Sequence, residues 1–387
     1  MNDAWRATAY LSLFYYMFGF QLPYLPVWLE KARGLNGTQI SAVIFGALLA
    51  RIIVGPLIST WADAKTSRAA LTLLAVGGFV GYLALNFSNH PIILSAVGFC
   101  VMSVVHAIMP LSEASLVLSV GKGIRPNFGE GRGIASVLFV LGVFSGGLLM
   151  ERYGVEYLVP AITCLFVAQI LIGLCAPRIS LGVSDNSIGF GERFKRGFRQ
   201  FRKPVLFLLL IASACIQATH AFYYGFSTVI WEKQGFSGQL ISLMWITGVV
   251  LEIAFLTFSA RLLTWLTPER LILLGGIAGV IRWTVLGFSP SALSILLVQN
   301  LHGLTFAATF IGCVTLIQRE VDKESQALTL SILASVIAAV TGLFGLMSGI
   351  LYDWIGAMGY WWMAGLAGIG TLFACLLMLR IRTRLYR

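Results

Sequence analysis

Charged residues are scarce in this sequence. Asp, Glu, Lys and Arg make up 11% of the 387 residues, against about 25% in soluble domains, and the deficit extends along the whole length. Hydrophobic residues make up 58%. This composition excludes a soluble domain with one membrane anchor and predicts an all-α integral membrane protein.

Several chemical motifs are also missing. The six cysteines form no CxxC pair, lie within apolar runs and have no His at metal-ligand spacing, so we expect no disulfide, no metal and no cofactor. No HExxH and no GxSxG in a suitable turn is present, which argues against a membrane enzyme. The first apolar run, 5–29, is too long for a cleavable signal, and no small-residue cleavage site follows it.

What the sequence does have is twelve apolar stretches of membrane-spanning length. They lie at 6–29, 38–61, 69–88, 91–117, 131–151, 157–176, 205–230, 239–260, 270–288, 292–317, 327–352 and 359–379. With both termini cytoplasmic, most Lys and Arg fall on the cytoplasmic side, as the positive-inside rule requires. The net charge of +11 is therefore explained by the orientation of the chain in the membrane, and we expect no nucleic-acid partner.

A polar, basic stretch divides the spans into two sets of six. We predict an N-terminal six-helix bundle at 1–176, a cytoplasmic linker at 177–204 and a C-terminal six-helix bundle at 205–387. The spacing of Phe194, Phe198 and Phe201 among Arg and Lys favours an amphipathic helix on the inner membrane surface. A merely solvated basic loop is the alternative.

The two halves repeat each other. WLEKARGLNGTQIS at 28–41 matches WEKQGFSGQLIS at 231–242, and GLLMERYG at 147–154 matches GILYDWIG at 349–356, with offsets of 201 to 203 residues. A constant offset indicates a duplicated six-helix unit. Two parallel repeats are the hallmark of a major facilitator fold. The loop STWADAKTSR at 59–68 resembles that superfamily's conformational-switch loop, with Asp63, Lys65 and Arg68 matching.

Four ionisable residues are predicted near the membrane midplane, namely Arg51, Glu252, Arg282 and His302, given a rise of about 1.5 Å per residue. Because charge at this depth is costly, each predicts a function or a local pairing. Histidine titrates near neutral pH, so His302 beside Glu252 could pass or gate a proton. The repeat offset places Arg51 opposite Glu252, so the two could face one another.

Glu113 lies near the cytoplasmic end of its span, with Arg132 as its natural partner. A structural tether between helix ends and a role in substrate binding or gating are both open. His220 and the aromatic run that follows it could line a cavity or simply pack. We include them in a predicted substrate-binding set of Arg51, Glu113, Arg132, Gln21, Gln217, His220, Tyr223, Tyr224, Gln299 and Asn300.

The segments HAFYYGFSTVIWEKQGFS at 220–237, VVLEI, GVIRW and LHGLTF, together with FGFQLPYLPVW and FGEGRGIAS, resemble the phenylpropionate permease group of the major facilitator superfamily. That group is related to lactose permease and nucleoside–proton symporters. The resemblance implies proton coupling by Glu252, Arg282 and His302, and substrate contact by Glu113 and Arg132. Thr305 stands where lactose permease has its principal protonating Glu, which makes Glu252 our first choice as proton carrier.

Taken together, the sequence predicts an alternating-access transporter in a bacterial inner membrane. Proton-coupled uptake of an aromatic or other organic monocarboxylate is the best interpretation. A nucleoside or sugar proton symporter is one alternative, and a membrane sensor or lipid-handling protein on the same fold is another. Small-molecule substrate, protons and the lipid bilayer are the expected partners, with the protein as a monomer.

Overall fold

The computed structural model describes residues 2–63, 65–121, 125–180 and 198–385, without the side chains of residues 51–56, 59, 60, 63, 260 and 385. Helix accounts for 88% of the structure, and the described residues contain no strand. Among these residues, nine helices are long and apolar enough to cross a membrane. The expected all-helical membrane architecture is thus confirmed, whereas the count of twelve spans stays a prediction.

The first of two compact units comprises Met1–Ser184 and Gly225–Leu243. Its helices are α1 (Asp3–Lys31), α2 (Gly37–Asp63), α3 (Ser67–Phe87), α4 (Pro91–Ser119), α5 (Phe128–Tyr153) and α6 (Leu158–Leu174). Helix α1 packs most extensively against α5, α3 packs against α6, and α2 packs against α4. Residues 225–243, which follow the predicted linker, also belong to this unit.

The second unit comprises Asp185–Tyr224 and Met244–Arg387. Its described helices, two of which begin or end in the first unit, are α7 (Pro204–Ala218), α8 (His220–Lys233), α9 (Gly238–Thr257), α10 (Ser259–Trp265), α11 (Pro268–Gly287), α12 (Ala292–Gln299), the π-helix Gly303–Ala308, α13 (Thr309–Glu320), α14 (Lys323–Ile355) and α15 (Gly359–Leu385). Helix α15 packs along α11 and α7, around a core of mainly aliphatic side chains.

The predicted amphipathic linker helix needs one correction. Phe194 lies outside the described residues, and Phe198 is exposed, as a membrane-facing residue should be. Phe201, however, is only 3% exposed and packs into the core of the second unit with Leu206 and Leu209. Its spacing from Phe198 predicts a lipid contact on the same helix face, but the side chain anchors the start of α7 instead.

The duplicated motifs share glycines of positive φ as well as residue types. Four glycines in the described residues have positive φ, and they form two repeat pairs: Gly34 (69°) with Gly235 (84°), and Gly154 (99°) with Gly356 (58°). A side chain is strained in this left-handed region, so glycine is the natural residue there. Corresponding helices in the two halves therefore end at glycines that share a positive φ.

The two copies of the first repeated motif also bind each other within the first unit. Lys31 at the end of α1 pairs with Glu232 near the end of α8, and Lys233 Nζ lies 2.8 Å from Glu30 Oε1. Each Glu-Lys dipeptide thus contributes the lysine of one ion pair and the glutamate of the other. We call these four residues the reciprocal clasp.

Next to the clasp, α5 and the start of α9 are in backbone contact. A methyl group on Gly147 would overlap both the Gly238 carbonyl oxygen and Ser242 Oγ. Ser242 Oγ is in turn 2.7 Å from the Tyr24 hydroxyl on α1, which donates to the Val143 carbonyl at 2.9 Å. This close packing holds the start of α9 on α1 and α5.

Reversing one charge of the clasp should destabilise the first unit, and reversing its partner as well should restore it. We expect Glu30→Lys to lower the stability in detergent by about 0.5–1 kcal/mol, the usual worth of a partly exposed ion pair, because the introduced lysine would face Lys233. The double variant Glu30→Lys, Lys233→Glu should regain most of this loss. Unfolding curves followed by tryptophan fluorescence measure both.

A matched control exchanges neighbours instead of partners. Glu30→Lys with Lys31→Glu keeps the composition and net charge but sets like charges together in both pairs. It should be less stable than either the wild type or the partner swap. Equal stability of the two double variants would contradict the reciprocal pairing.

Candidate functional site

The polar centre of the second unit is built around Arg282 on α11. Its side chain is fully buried, so each of its N–H groups needs an acceptor. Nε and Nη2 donate to Gln299 Oε1 at 3.1 and 2.6 Å, and Nη1 donates to His302 Nδ1 at 2.9 Å and to Thr305 Oγ1 at 3.3 Å. These acceptors carry no formal charge.

Two aromatic rings complete the surroundings of the guanidinium. Its carbon lies 4.6 Å from the centre of the Tyr223 ring and 4.4 Å from that of Trp283. Such cation–π contacts are worth about 2 kcal/mol when desolvated. Arg282 is therefore held on one side by neutral acceptors and on the other by aromatic faces.

Gln299 fixes Arg282 because its own amide has only one possible orientation. Its oxygen faces the guanidinium N–H groups, while its nitrogen donates to the Tyr223 hydroxyl at 2.9 Å and to the Met244 carbonyl at 3.1 Å. The side chain is fully buried. Gln299, which was predicted as a substrate ligand, makes all of these hydrogen bonds inside the second unit.

His302 joins Arg282 to the carboxylate of Glu252. An arginine can only donate, so Nδ1 of His302 is the acceptor and the neutral ring carries its hydrogen on Nε2. That nitrogen lies 3.4 Å from Glu252 Oε2. His302 is 5% exposed at its side chain and Glu252 is 24% exposed. The three residues predicted to couple protons thus form one connected row.

A π-helix brings the three acceptors of Arg282 together. Gln299 ends α12, His302 precedes the π-helix and Thr305 lies within it. A π-helix is wider than an α-helix and is often found at functional sites. Sequence periodicity did not reveal this segment. Gly303, the first residue of the π-helix, was the one local sequence feature that marked this segment. A methyl group added to it would meet Phe255 and the Leu251 carbonyl.

His220, at the start of α8, extends the row in the other direction. Its Nδ1 is 3.0 Å from the Gln217 carbonyl oxygen and its Nε2 is 3.1 Å from Thr305 Oγ1. Gln217 donates in turn to the Phe306 carbonyl at 3.2 Å. The two predicted polar residues therefore tie α7 and α8 to the π-helix.

Aromatic rings surround this row. Tyr223 and Tyr224 lie 4.4 and 6.2 Å from Trp245, measured between ring centres, and Trp283 stacks on Tyr360. Trp245, Trp283 and Tyr360 were missed by sequence reasoning. Trp245 precedes Glu252 by seven residues on α9, a spacing that places both on one face and that was available in the sequence.

The first unit holds a second, more open polar cluster. Arg132 Nε lies 3.2 Å from Glu113 Oε1, so the predicted pairing is present. Tyr15 on α1 donates to the same oxygen at 2.9 Å, and the Arg132 guanidinium carbon lies 4.4 Å from the centre of its ring. The side chains of Arg132 and Glu113 are 36% and 34% exposed. Tyr15 was not among the predicted residues.

Local capping sets the position of Arg132. At the start of α5, Asn127 Oδ1 accepts from the Glu130 amide at 2.9 Å, and Glu130 Oε2 accepts from the Asn127 amide at 3.0 Å. This capping box fixes the first turn. Arg132 Nη1 then donates to Ser136 Oγ one turn later, at 2.9 Å.

Gln21 and Asn300 make their hydrogen bonds outside these two clusters. Gln21 is buried in the first unit with its amide nitrogen 3.3 Å from Met102 Sδ. Asn300 is exposed, and its nitrogen donates to the Leu296 and Leu297 carbonyls. The side chain of Arg51, on α2, lies outside the described residues.

The switch loop is seen in part. Arg68 Nε donates to the Ala176 carbonyl at 2.7 Å, and Lys65 Nζ lies 5.4 Å from the centre of the Trp61 ring. Both contacts are inside the first unit. The Asp63 side chain lies outside the described residues. Over the part of the chain that the structure describes, no group of His, Cys, Asp and Glu is arranged to hold a metal.

Comparisons with known proteins agree with this architecture. The chain is 27% identical over 383 residues to a probable 3-phenylpropionic acid transporter of Escherichia coli (strain K12), covering 96% of this chain and 97% of that relative. It is 20% identical over 365 residues to the uncharacterized transporter YwbF of Bacillus subtilis (strain 168), covering 92% and 89%.

Solved structures and a family model complete the comparison. The crystal structure of nucleoside transporter NupG matches with a TM-score of 0.83 at 15% identity, covering 98% of this chain and 99% of that one. The model of the MFS_1 like family matches residues 4–363. The resemblance read from the sequence is confirmed, and the chain belongs to the MFS_1 like family of multi-pass membrane transporters.

Proposed function

We propose that this protein is a proton-coupled symporter that takes up an aromatic monocarboxylate by alternating access. In this proposal it spans a bacterial inner membrane twelve times, as six-helix bundles at 1–176 and 205–387 joined by a cytoplasmic linker, with both termini cytoplasmic. It works as a monomer, without a cofactor and without catalysing a reaction.

The observation that carries the proposal is the row Arg282–His302–Glu252. Arg282 is a buried, permanent positive charge whose hydrogen-bond acceptors are neutral. Glu252 is the carboxylate joined to it, through His302. When Glu252 takes up a proton, the positive charge of Arg282 is no longer balanced by that carboxylate, and the protein attracts an anion.

This arrangement gives symport a thermodynamic basis. If a proton on Glu252 raises the affinity for a carboxylate substrate, the bound carboxylate raises the affinity for the proton by the same factor. The two ligands then bind and leave together. An anionic substrate therefore travels with a proton rather than in exchange for one.

The substrate carboxylate is assigned to Arg132 rather than to Arg282. Four of the five N–H donors of Arg282 are already used, two by Gln299, one by His302 and one by Thr305. Arg132 is partly exposed and forms an ion pair with a partly exposed Glu113. Arginine recognises a carboxylate through paired charge-assisted hydrogen bonds.

An aromatic substrate is favoured by the comparison with a named relative. The relative in Escherichia coli is named for 3-phenylpropionic acid, an aromatic monocarboxylate. We therefore propose that substrate class for this chain as well.

The alternative functions are separated by one assay. In proteoliposomes loaded with unlabelled solute, a transporter drives transient accumulation of labelled solute by counterflow, whereas a sensor or lipid-handling protein binds it without exchange. Assays use 3-phenylpropionate, a nucleoside and a sugar in parallel, with protein-free vesicles to subtract passive entry. Counterflow of the nucleoside or the sugar alone would favour those substrates and overturn the monocarboxylate.

Glu252→Gln should separate exchange from accumulation. Glutamine keeps the shape and accepts the hydrogen bond of His302, but it cannot release a proton. We expect counterflow to persist and accumulation driven by a pH gradient to be lost. Glu269→Gln is the matched control, because Glu269 is a buried carboxylate of the same unit that pairs with Arg319 at 3.7 Å. Wild-type accumulation in Glu252→Gln would contradict the assignment of Glu252 as the proton carrier.

Arg132→Lys should weaken substrate binding while leaving coupling intact. Lysine keeps the charge but loses the fork of donors that matches a carboxylate. We expect KM for an aromatic monocarboxylate to rise about tenfold, equivalent to about 1.4 kcal/mol, with accumulation at saturating substrate maintained. Arg152→Lys, on the exposed end of the same helix, should leave KM unchanged. A KM equal to that of the wild type in Arg132→Lys would move the carboxylate site elsewhere.

A further inference from the structure

Thr305 is the point at which the two histidines of the second unit meet. Its hydroxyl oxygen lies 3.3 Å from Arg282 Nη1, 3.1 Å from His220 Nε2 and 3.1 Å from the His302 carbonyl oxygen. The side chain is fully buried, as is that of Arg282. The ring centres of His220 and His302 are 5.4 Å apart.

The rules of donors and acceptors leave one consistent set of hydrogen positions for neutral rings. The Gln217 carbonyl only accepts, so His220 carries its hydrogen on Nδ1, and its Nε2 is an acceptor. Arg282 only donates, so His302 accepts at Nδ1 and carries its hydrogen on Nε2. The two neighbouring histidines must therefore be opposite tautomers.

Among the described residues, only Thr305 can supply the hydrogen that this set requires at His220 Nε2. Its oxygen accepts from Arg282, and its single hydrogen has two acceptors in reach, His220 Nε2 and the His302 carbonyl. A threonine in a helix commonly gives that hydrogen to a backbone carbonyl three or four residues earlier. Here that choice would leave a fully buried ring nitrogen without a partner, which is costly.

We propose that Thr305 is a positioning residue that sets both tautomers. By donating to His220 it holds that ring in the Nδ1–H form. By accepting one hydrogen of Arg282 Nη1, it directs the other towards His302 Nδ1, so that His302 presents Nε2–H to Glu252. Through this contact, Thr305 orients the proton-carrying carboxylate without touching it.

A hydroxyl suits this position better than a carboxylate or an apolar group of the same shape. A carboxylate there would give Arg282 a second counter-charge and would weaken its dependence on Glu252. A valine would match the shape of threonine but would leave a donor of Arg282 and an acceptor of His220 unpaired. The β-branched side chain also restricts its χ1 angle, which keeps the hydroxyl between its partners.

The tautomers can be read directly from nitrogen spectra. In protein labelled with 15N-histidine, ring nitrogens with and without a hydrogen resonate in separate regions, and the chain has only four histidines. Variants His220→Gln and His302→Gln assign the two signals. We expect Nδ1–H for His220 and Nε2–H for His302 in the wild type. The same tautomer on both rings would overturn the proposal.

Substitution of Thr305 tests the role of the hydroxyl. Thr305→Ser should keep both tautomers, whereas Thr305→Val should change the His220 spectrum and broaden or shift that of His302. Thr309→Val is the matched control, since Thr309 is also fully buried but bonds only the Leu304 carbonyl. Unchanged histidine spectra in Thr305→Val would contradict the proposal, and if that variant does not fold, the wild-type tautomers still decide it.

The consequence for transport rests on the proposed function. We expect Thr305→Val to lower accumulation driven by a pH gradient about tenfold, the effect of one hydrogen bond to a charged group, with counterflow retained and Thr305→Ser restoring accumulation. If the wild type shows no such accumulation, proton coupling fails while the tautomer result stands. If accumulation is normal in Thr305→Val, the positioning role fails and proton coupling stands.

Discussion

The burial of one guanidinium constrains the polar centre of the second unit. Arg282 has no access to water, and an ion removed from water loses several kcal/mol of hydration unless hydrogen bonds replace it. The protein supplies them from Gln299, His302 and Thr305, and it covers the remaining faces with Tyr223 and Trp283. The π-helix, the fixed amide and the aromatic cluster all meet this one requirement.

The two units treat their central cation differently. Arg282 is enclosed and joined to a carboxylate through a histidine, whereas Arg132 is partly exposed and touches its carboxylate directly. The duplication that is visible in the glycine turns and in the clasp therefore does not extend to the two arginine sites. The repeated helix ends share positive-φ glycines, and one pair of them joins in the reciprocal clasp. The arginine sites differ, since one is open and the other is closed.

Sequence reasoning located much of this arrangement because charge at membrane depth has so few explanations. Glu252, Arg282 and His302 were singled out on that ground, and the pairing of Glu113 with Arg132 followed from their depth. The repeated motifs predicted a duplicated unit, and the four positive-φ glycines of the described residues fall into two repeat pairs.

Other features depended on geometry that a sequence does not display. The π-helix interrupts the 3.6-residue period, so the convergence of Gln299, His302 and Thr305 on Arg282 could not be read from spacing. Trp283 and Tyr360 looked like ordinary packing residues, because aromatic side chains at membrane depth usually are. Phe201 was placed at the membrane surface on the basis of its spacing from Phe198. Its burial depends on the direction in which the chain enters α7, which the spacing does not show.

The most direct test of the account is the movement of protons with substrate. An aromatic monocarboxylate is added, without an imposed gradient, to lightly buffered proteoliposomes at neutral pH, and external pH is recorded against protein-free vesicles. Symport through Glu252 predicts a rise in external pH beyond that of the protein-free vesicles, with its initial rate proportional to that of labelled substrate entry. Protein-dependent substrate entry without any accompanying change in pH would contradict the central claim.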